Sequence, residues 1–266
     1  MKKISCDFYI ENIGYPLNRI YHEKLFFEGE SHDFAEIVFV KSGSAEITEN
    51  ENVYVLNSGD IIFHAPSEFH TIKTIGSSSL HLFNLSAIFK GKLPDGMYDG
   101  VFSLTDEDQA DFLDFFRLAE KYIATENPPA FSGQELTHRL LSFILKITNK
   151  NALSDSFSSD PGAEAYGKIV KTMTENIYSN LSLEEIADKN HISISYVKKL
   201  FYRYAGVSPK KYYSHLKLQE IIHLLSLGIS KSEIAEKMGF SSPAYFTNYC
   251  KKHLGTTPTQ YQKEKI

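Results

Sequence analysis

The sequence predicts an α+β multidomain protein: an N-terminal β-barrel with two following helices, then an all-α C-terminal domain with two helix-turn-helix units. Three observations predict it. Residues 1–105 are short runs of β-branched and aromatic residues broken by turn chemistry. Helical spacing takes over after Ser103. Near the C-terminus a stretch of about 48 residues repeats itself. The 266-residue length also exceeds that of a typical single domain.

In chain order, residues 36–40, 53–56, 61–63 and 80–83 read as strands, separated by turns at 41–43, 57–60, 65–67 and 76–78. Many short strands at close spacing mean a sandwich or barrel. Thr105 followed by Asp108 has the form of a capping box, with Asp in place of the usual Glu. Phe112, Phe115, Phe116 and Ala119 then recur at helical spacing, and Pro128 and Pro129 lie beyond that helix. A second helix spans 132–149, with Leu136, Leu140, Phe143, Ile144 and Ile147 in one stripe. That stripe suits either pairing with a second copy or packing on the chain's own barrel. Residues 151–162 are Ser- and Asp-rich without a period and read as a linker. The expected regions are therefore 1–105 (barrel), 106–150 (helical pair), 151–162 (linker) and 163–266 (helical domain).

Charge divides along the same line. Residues 1–162 carry 13 Lys and Arg against 24 Asp and Glu, a net −11, while residues 163–266 carry 15 against 9, a net +6. A basic half joined to an acidic half points to a polyanionic partner for the former. Cys6 and Cys250 form no CxxC or Cys/His cluster, which excludes a zinc finger. No stretch reaches the ~18 apolar residues of a membrane span, and Asp7, Glu11 and Asn12 interrupt any leader-like run. A cytoplasmic protein with no membrane partner and no cofactor is the expectation.

The repeat carries the chemistry. Glu185, Ile186 and Ala187 return as Glu233, Ile234 and Ala235, and Ser193 is matched to Ser241, an offset of 48. Beyond the turn the offset is 49: Tyr196 to Tyr245, Gly206 to Gly255, Pro209 to Pro258 and Tyr212 to Tyr261. Two copies are too few for a solenoid, so a tandem pair is expected. In the first copy Ser182 caps one helix, Asn190 and His191 make a turn, and Ser193 caps the next. Val197, Leu200, Phe201 and Tyr204 share its inner face, leaving Ser195, Lys198, Lys199 and Tyr202 outside. In the second copy Ser230 or Ser232 opens a helix, Gly239 makes the turn, and Ser241 or Ser242 caps. Phe246, Tyr249 and Cys250 point inward there; Ala244, Thr247, Asn248 and Lys251 point outward, with Pro243 in the first turn. Lys can donate to guanine, Asn can pair with adenine, and Thr or Ala can touch a thymine methyl. Ser193, Tyr202, Arg203, Lys251 and Lys252 suit phosphates, which position without specifying.

Residues 239–246, then 251–258 and Tyr261, resemble the signature of AraC-family bacterial transcriptional regulators, and the resemblance extends over 163–264. It implies two recognition helices entering successive major grooves. Ser195, Lys198 and Lys199 then match base-reading positions of the first unit, and Pro243, Ala244, Thr247 and Asn248 those of the second. Two positions depart from the family pattern: Cys250 stands where Phe is usual, and Asn248 where Arg is frequent.

The N-terminal half is similar to the small cupin-like barrel of the same family, through His32, Glu36 and Gly43 and through Gly59, Asp60, Pro66 and His70. Metal-binding cupins carry a second His where this chain has Phe34. His32, Glu36 and His70 remain as a possible three-ligand set. Hydrogen bonding to a small organic ligand, or to one another inside the barrel, with no metal, is the preferred expectation. His64 and His81 are further pocket candidates. The expected function is a ligand-controlled regulator that binds double-stranded DNA, not an enzyme. Its effector would be a small molecule such as a sugar, and its partners a second copy and RNA polymerase. A cupin-type metalloenzyme and an architectural DNA binder whose barrel only dimerises are the alternatives.

Overall fold

The computed structural model describes residues 8–22, 24–98, 100–150 and 156–265. Residues 1–7 with Cys6, and linker positions 151–155, lie outside the described set. The chain divides into two compact units, Met1–Ser159 and Asp160–Ile266.

The first unit has two antiparallel sheets. In the larger, β1 (Phe8–Ile13), β9 (Leu80–Gly91), β4 (Ala35–Ser42), β7 (Asp60–His64) and β10 (Val101–Ser103) pair in that order, and β2 (Leu17–Tyr21) also pairs with β9. The smaller has the order β3 (Phe26–Glu30), β8 (His70–Ile75), β5 (Ser44–Glu49) and β6 (Asn52–Leu56). Strand alternation divides the core in two. Val38 and Val40 join Ile47, Ile62, Ile72 and Leu82 between the sheets. Ile37 and Phe39 face the other way, with Ile61, Phe63, Phe83 and Leu85, into a core shared with α1 (Asp106–Ala124) and α2 (Ser132–Asn149). Burial on both faces explains why β4 is a continuous apolar run. The turn into β5 needs Gly43, at φ +82°, where a Cβ would lie 2.5 Å from the Ser79 carbonyl oxygen.

The capping box forms at α1: the Asp108 amide donates to Thr105 Oγ1 at 3.2 Å, and Asp108 Oδ2 accepts from the Thr105 amide at 3.3 Å. Lys146 and Lys150, from α2 and its C-cap, reach the same buried carboxylate at 3.0 and 2.9 Å. The stripe of α2, from Leu136 to Ile147, is buried in this unit's own core, so of the two uses open to it the structure shows packing on the barrel.

Two boundaries differ from expectation. The Val55 amide donates to Ser156 O, and the Ser158 amide to Val53 O, both at 2.7 Å, so 156–158 line the free edge of β6. Phe157 packs its ring 4.9 Å from that of Tyr54. Backbone pairing needs no apolar period, which is why this stretch looked like linker. The helical domain also begins earlier than 163: Asp160 caps α3 (Pro161–Glu175) by accepting from the Gly162 amide at 2.9 Å, with Pro161 opening the helix.

The second unit continues with α4 (Leu183–Lys189), α5 (Ile194–Tyr204), α6 (Pro209–Ser226), α7 (Lys231–Lys237), α8 (Pro243–Leu254) and α9 (Pro258–Lys265). The trio α7–α9 repeats α4–α6. Helix α3 packs on α4 and α5, and α7 packs on α6 and α8. Tyr166, Phe201, Tyr204 and Tyr212 fill the first half with rings 5.1–6.3 Å apart. Ile221, Leu225, Phe246 and Cys250 fill the second. Cys250 is the repeat counterpart of Phe201, and both are fully buried.

Candidate nucleic-acid interface and barrel pocket

Local hydrogen bonds build both helix-turn-helix units. In the first, the Glu185 amide donates to Ser182 Oγ at 3.1 Å and Glu185 Oε2 accepts from the Ser182 amide at 2.7 Å, a full capping box. Helix α4 ends where Asn190 Nδ2 donates to Ile186 O at 2.8 Å, and His191 turns the chain at φ +56°. Ser193 then caps α5 by accepting from the Tyr196 amide at 3.2 Å. In the second unit Ser230, not Ser232, caps α7, and Gly239 turns the chain at φ +71°. Ser242, not Ser241, caps α8, accepting from the Tyr245 amide at 3.1 Å. The amides of Ile192 and Phe240 donate to Ala187 O and Ala235 O, so the two turns superpose up to that point. The inserted residue is thus Ser241 itself, and the counterpart of Ser193 is Ser242. This corrects the alignment of Ser193 with Ser241.

Packing decides which face is open. Val197, Leu200, Phe201 and Tyr204 are buried, while Ser195, Lys198, Lys199 and Tyr202 are exposed. On α8, Phe246 and Cys250 are buried and Tyr249 half-buried; Pro243, Ala244, Asn248, Lys251 and Lys252 are exposed. Thr247 is half-buried, and its hydroxyl donates to Pro243 O at 2.8 Å, which leaves its methyl and a lone pair for other contacts. Ser193 accepts a cap bond but keeps its own O–H as a donor. Arg203, the remaining member of the expected phosphate set, is less open than the others. It is half-buried, 4.7 Å over the Tyr204 ring and 4.0 Å from Asp160 Oδ2, the cap of α3.

The pocket candidates gather where the inter-sheet core turns polar. Glu36 lies opposite His64, and Glu49 opposite His70, at the ends of their paired strands. Asn84 Nδ2 donates to Glu36 Oε1 at 2.8 Å, while Glu36 Oε2 lies 3.1 Å from His70 Nε2. His70 Nδ1 donates to Glu68 O at 3.2 Å, and His32 Nδ1 to Phe34 O at 2.8 Å. His64 Nδ1 meets Glu49 Oε1 at 2.7 Å, and the His64 and His70 rings stack in parallel at 4.2 Å. Burial raises the Glu36 carboxyl, but His70, His64 and Asn84 outweigh it and hold the group at about 2. Burial also lifts Glu49 to about 7 and, with the charge of Glu49, Glu68 to about 8. His64 is held well below its usual range, first by burial and then by His70.

His32, Glu36, His64 and His70 thus come together as expected. His81 does not. It hydrogen-bonds Asn18 Oδ1 through Nε2 at 2.7 Å and packs on the Phe83 ring. On β9 the buried inter-sheet residues are Leu80 and Leu82, so position 81 is out of phase with the pocket. Sequence reasoning missed Glu30, Glu49 and Glu68. Glu49 shares the phase of Ala45 and Ile47, a legible signal; Glu30, at a strand end, and Glu68, in a turn, carry none.

Comparison with known proteins matches both regions. A profile described as an AraC-like ligand binding domain matches residues 15–87, and one described as a helix-turn-helix domain matches 186–264. The Msm operon regulatory protein of Streptococcus mutans is 25% identical over 245 residues, covering 86% of this chain and 84% of its own. The HTH-type transcriptional activator RhaS of Escherichia fergusonii is 22% identical over 250 residues, covering 89% and 88%. Among solved structures, unsaturated fatty acid-bound ToxT from Vibrio cholerae is 18% identical, covering 98% and 97% at a TM-score of 0.37. The chain belongs to the AraC family of DNA-binding transcriptional regulators, with an AraC-like ligand-binding domain ahead of its helix-turn-helix domain.

Proposed function

We propose that this regulator reads an asymmetric DNA site through α5 and α8 and that a small organic effector, such as a sugar or related metabolite, controls it from the polar end of the barrel. The observation that carries the reading is the pair of capped helices, each with a buried inner face and an open, chemically different outer face. Ser195, Lys198 and Lys199 read bases in the first half of the site; Pro243, Ala244, Thr247 and Asn248 read the second. Ser193, Tyr202, Lys251 and Lys252 hold phosphates. His32, Glu36, His64 and His70 line the effector pocket.

The effector acts by binding one of two states more tightly; equal affinity for both would shift nothing. The regulator works in the cytoplasm as a homodimer that engages RNA polymerase, and its dimer contact is a surface other than the buried stripe of α2. No helix among the described residues is long and apolar enough to cross a membrane. Selection of bound sites from random DNA, with and without candidate sugars and metabolites, tests the reading. It expects a bipartite consensus whose affinity changes with one compound class. Sequence-indifferent binding, or tight effector binding with DNA affinity and transcription unchanged, would refute it.

A further inference from the structure

We propose that Asn180 is a positioning residue that clasps the turn of the second helix-turn-helix unit to the first and so fixes the angle between α5 and α8. The consequence for half-site spacing, though not the clasp itself, rests on the reading of DNA through those two helices.

The repeat singles out this residue. Each copy has two left-handed turn positions, one before its first helix and one between its helices. The first pair is Asn180, at φ +51°, and Gly228, at φ +73°; the second is His191, at φ +56°, and Gly239, at φ +71°. Glycine takes such a φ without steric cost, whereas asparagine and histidine only tolerate it. A Cβ on Gly228 would meet nothing within 4 Å, so that turn is open. A Cβ on Gly239 would lie 2.2 Å from Asn180 Nδ2. The side chain that the first copy adds is thus the one for which the second copy leaves room.

Asn180 Nδ2 donates to the carbonyl oxygen of Met238, the C-cap of α7, at 3.2 Å. Asn180 Oδ1 accepts from Lys217 Nζ on α6. One amide therefore joins the loop before α4, the middle of α6 and the end of α7. Tyr178, in the same loop, bridges the same elements. Its hydroxyl donates to Glu220 on α6, and the Lys237 ammonium of α7 lies 4.5 Å over its ring.

Helix α6 carries both cores, with Tyr212 in the first and Ile221 and Leu225 in the second. Between them, no side chain of residues 214–220 is fully buried. The helix sets the separation of the two units, but this stretch adds no closed apolar packing against their tilt. Because α5 packs on α4 and α8 on α7, the clasp acts on the recognition helices through their partners. One added base pair turns the second half-site by about 34° and moves it by about 3.4 Å, so a fixed angle favours one spacing.

Spin labels at Asp188→Cys and Glu236→Cys, exposed repeat counterparts on α4 and α7, read the geometry of the full chain without DNA in a Cys6→Ser background. The parent should give one narrow distance. Asn180→Gly installs the second copy's own residue, so it should fold like the parent and broaden that distance. Gly239→Asn should broaden it in the parent and add nothing in Asn180→Gly. Shifting the half-site spacing by one base pair should cost the parent at least about tenfold in affinity and Asn180→Gly less than about threefold. Affinity for an isolated half-site should be the same in both. The proposal is overturned by equal widths in parent and Asn180→Gly, or by a spacing penalty that Asn180→Gly retains. It is equally overturned if Gly239→Asn acts as strongly without Asn180 as with it, or if Asn180→Gly weakens the isolated half-site. A parent without a bipartite site refutes the two-helix reading instead, and the label widths then decide the clasp alone.

Discussion

Lys198 and Thr247 occupy one place in the repeat, as do Lys199 and Asn248, and Ser195 and Ala244. The same backbone thus presents ammonium groups in one unit and a methyl and an amide in the other. If Lys199 meets a guanine edge, Lys199→Ala relaxes preference at a single position by about 1–3 kcal/mol and leaves the others intact. Affinities for every single-base variant of the selected site measure this, and a uniform loss would make Lys199 a phosphate contact. Asn248→Ala should act likewise at one adenine in the other half. Inside the same helix, Cys250 is fully buried, and burial pushes its thiol up to about 11. The native protein should therefore resist alkylation of Cys250 at neutral pH and react once denaturant opens the core. Cys250→Ser should lower stability by about 1–3 kcal/mol, because the hydroxyl is desolvated among Ile221, Leu225 and Phe246. Denaturant midpoints at constant m-value report it.

Helix starts were legible because capping is a conversation between residues three apart. Thr105, Ser182, Ser193 and Ser242 needed no tertiary information, although Ser241 and Ser242 could be separated only by the turn geometry. The bridge at 156–158 was illegible because it is held by backbone hydrogen bonds with β6 and carries no side-chain period. The polar cluster of the barrel was half legible. Glu36 and His70 sit in strands with a readable phase, His81 was misplaced by one residue of that phase, and Glu30 and Glu68 reach the cluster through chain geometry alone. The best-founded element is the start of α1, and it has a pH signature. Burial raises the Asp108 carboxyl, but Thr105, Lys150 and Lys146 outweigh it and hold it well below the carboxylate range. A folded pKa below the unfolded value of about 3.9 adds stability that is complete above that value and is lost as pH falls toward the folded one. Asp108→Asn should cost about 1–2 kcal/mol at neutral pH through the lost charge contacts with Lys146 and Lys150, since an amide oxygen can still accept from the Thr105 amide. The gap between parent and variant should close below about pH 3. Thermal melts across that range check it, and a gap constant with pH would mean that the charge of Asp108 is immaterial.

At the scale of the whole molecule, the division at Asp160 gives the first unit 13 Lys and Arg against 23 Asp and Glu, and the second 15 against 10. A net −10 beside a net +5 disfavours approach of the first unit to phosphate and favours the second. Overall the chain is acidic at −5, so average charge conceals what a nucleic acid would meet. Each neutralised phosphate releases counterion, and log K falls with log salt by about 0.9 per contact. Lys251 and Lys252 are exposed in the last turn of α8, whereas Arg203, the repeat counterpart of Lys252, is drawn toward Asp160. Replacing both lysines by Ala should therefore reduce the slope by about 2 and weaken all sequences alike. Arg203→Ala should leave the slope unchanged and instead loosen the start of α3. Binding isotherms of the full chain at four or more salt concentrations, on the selected site and on a scrambled duplex, separate these outcomes. A flat salt response in the parent would remove the basic faces as the reader. A lowered slope in Arg203→Ala would return that residue to the phosphate set.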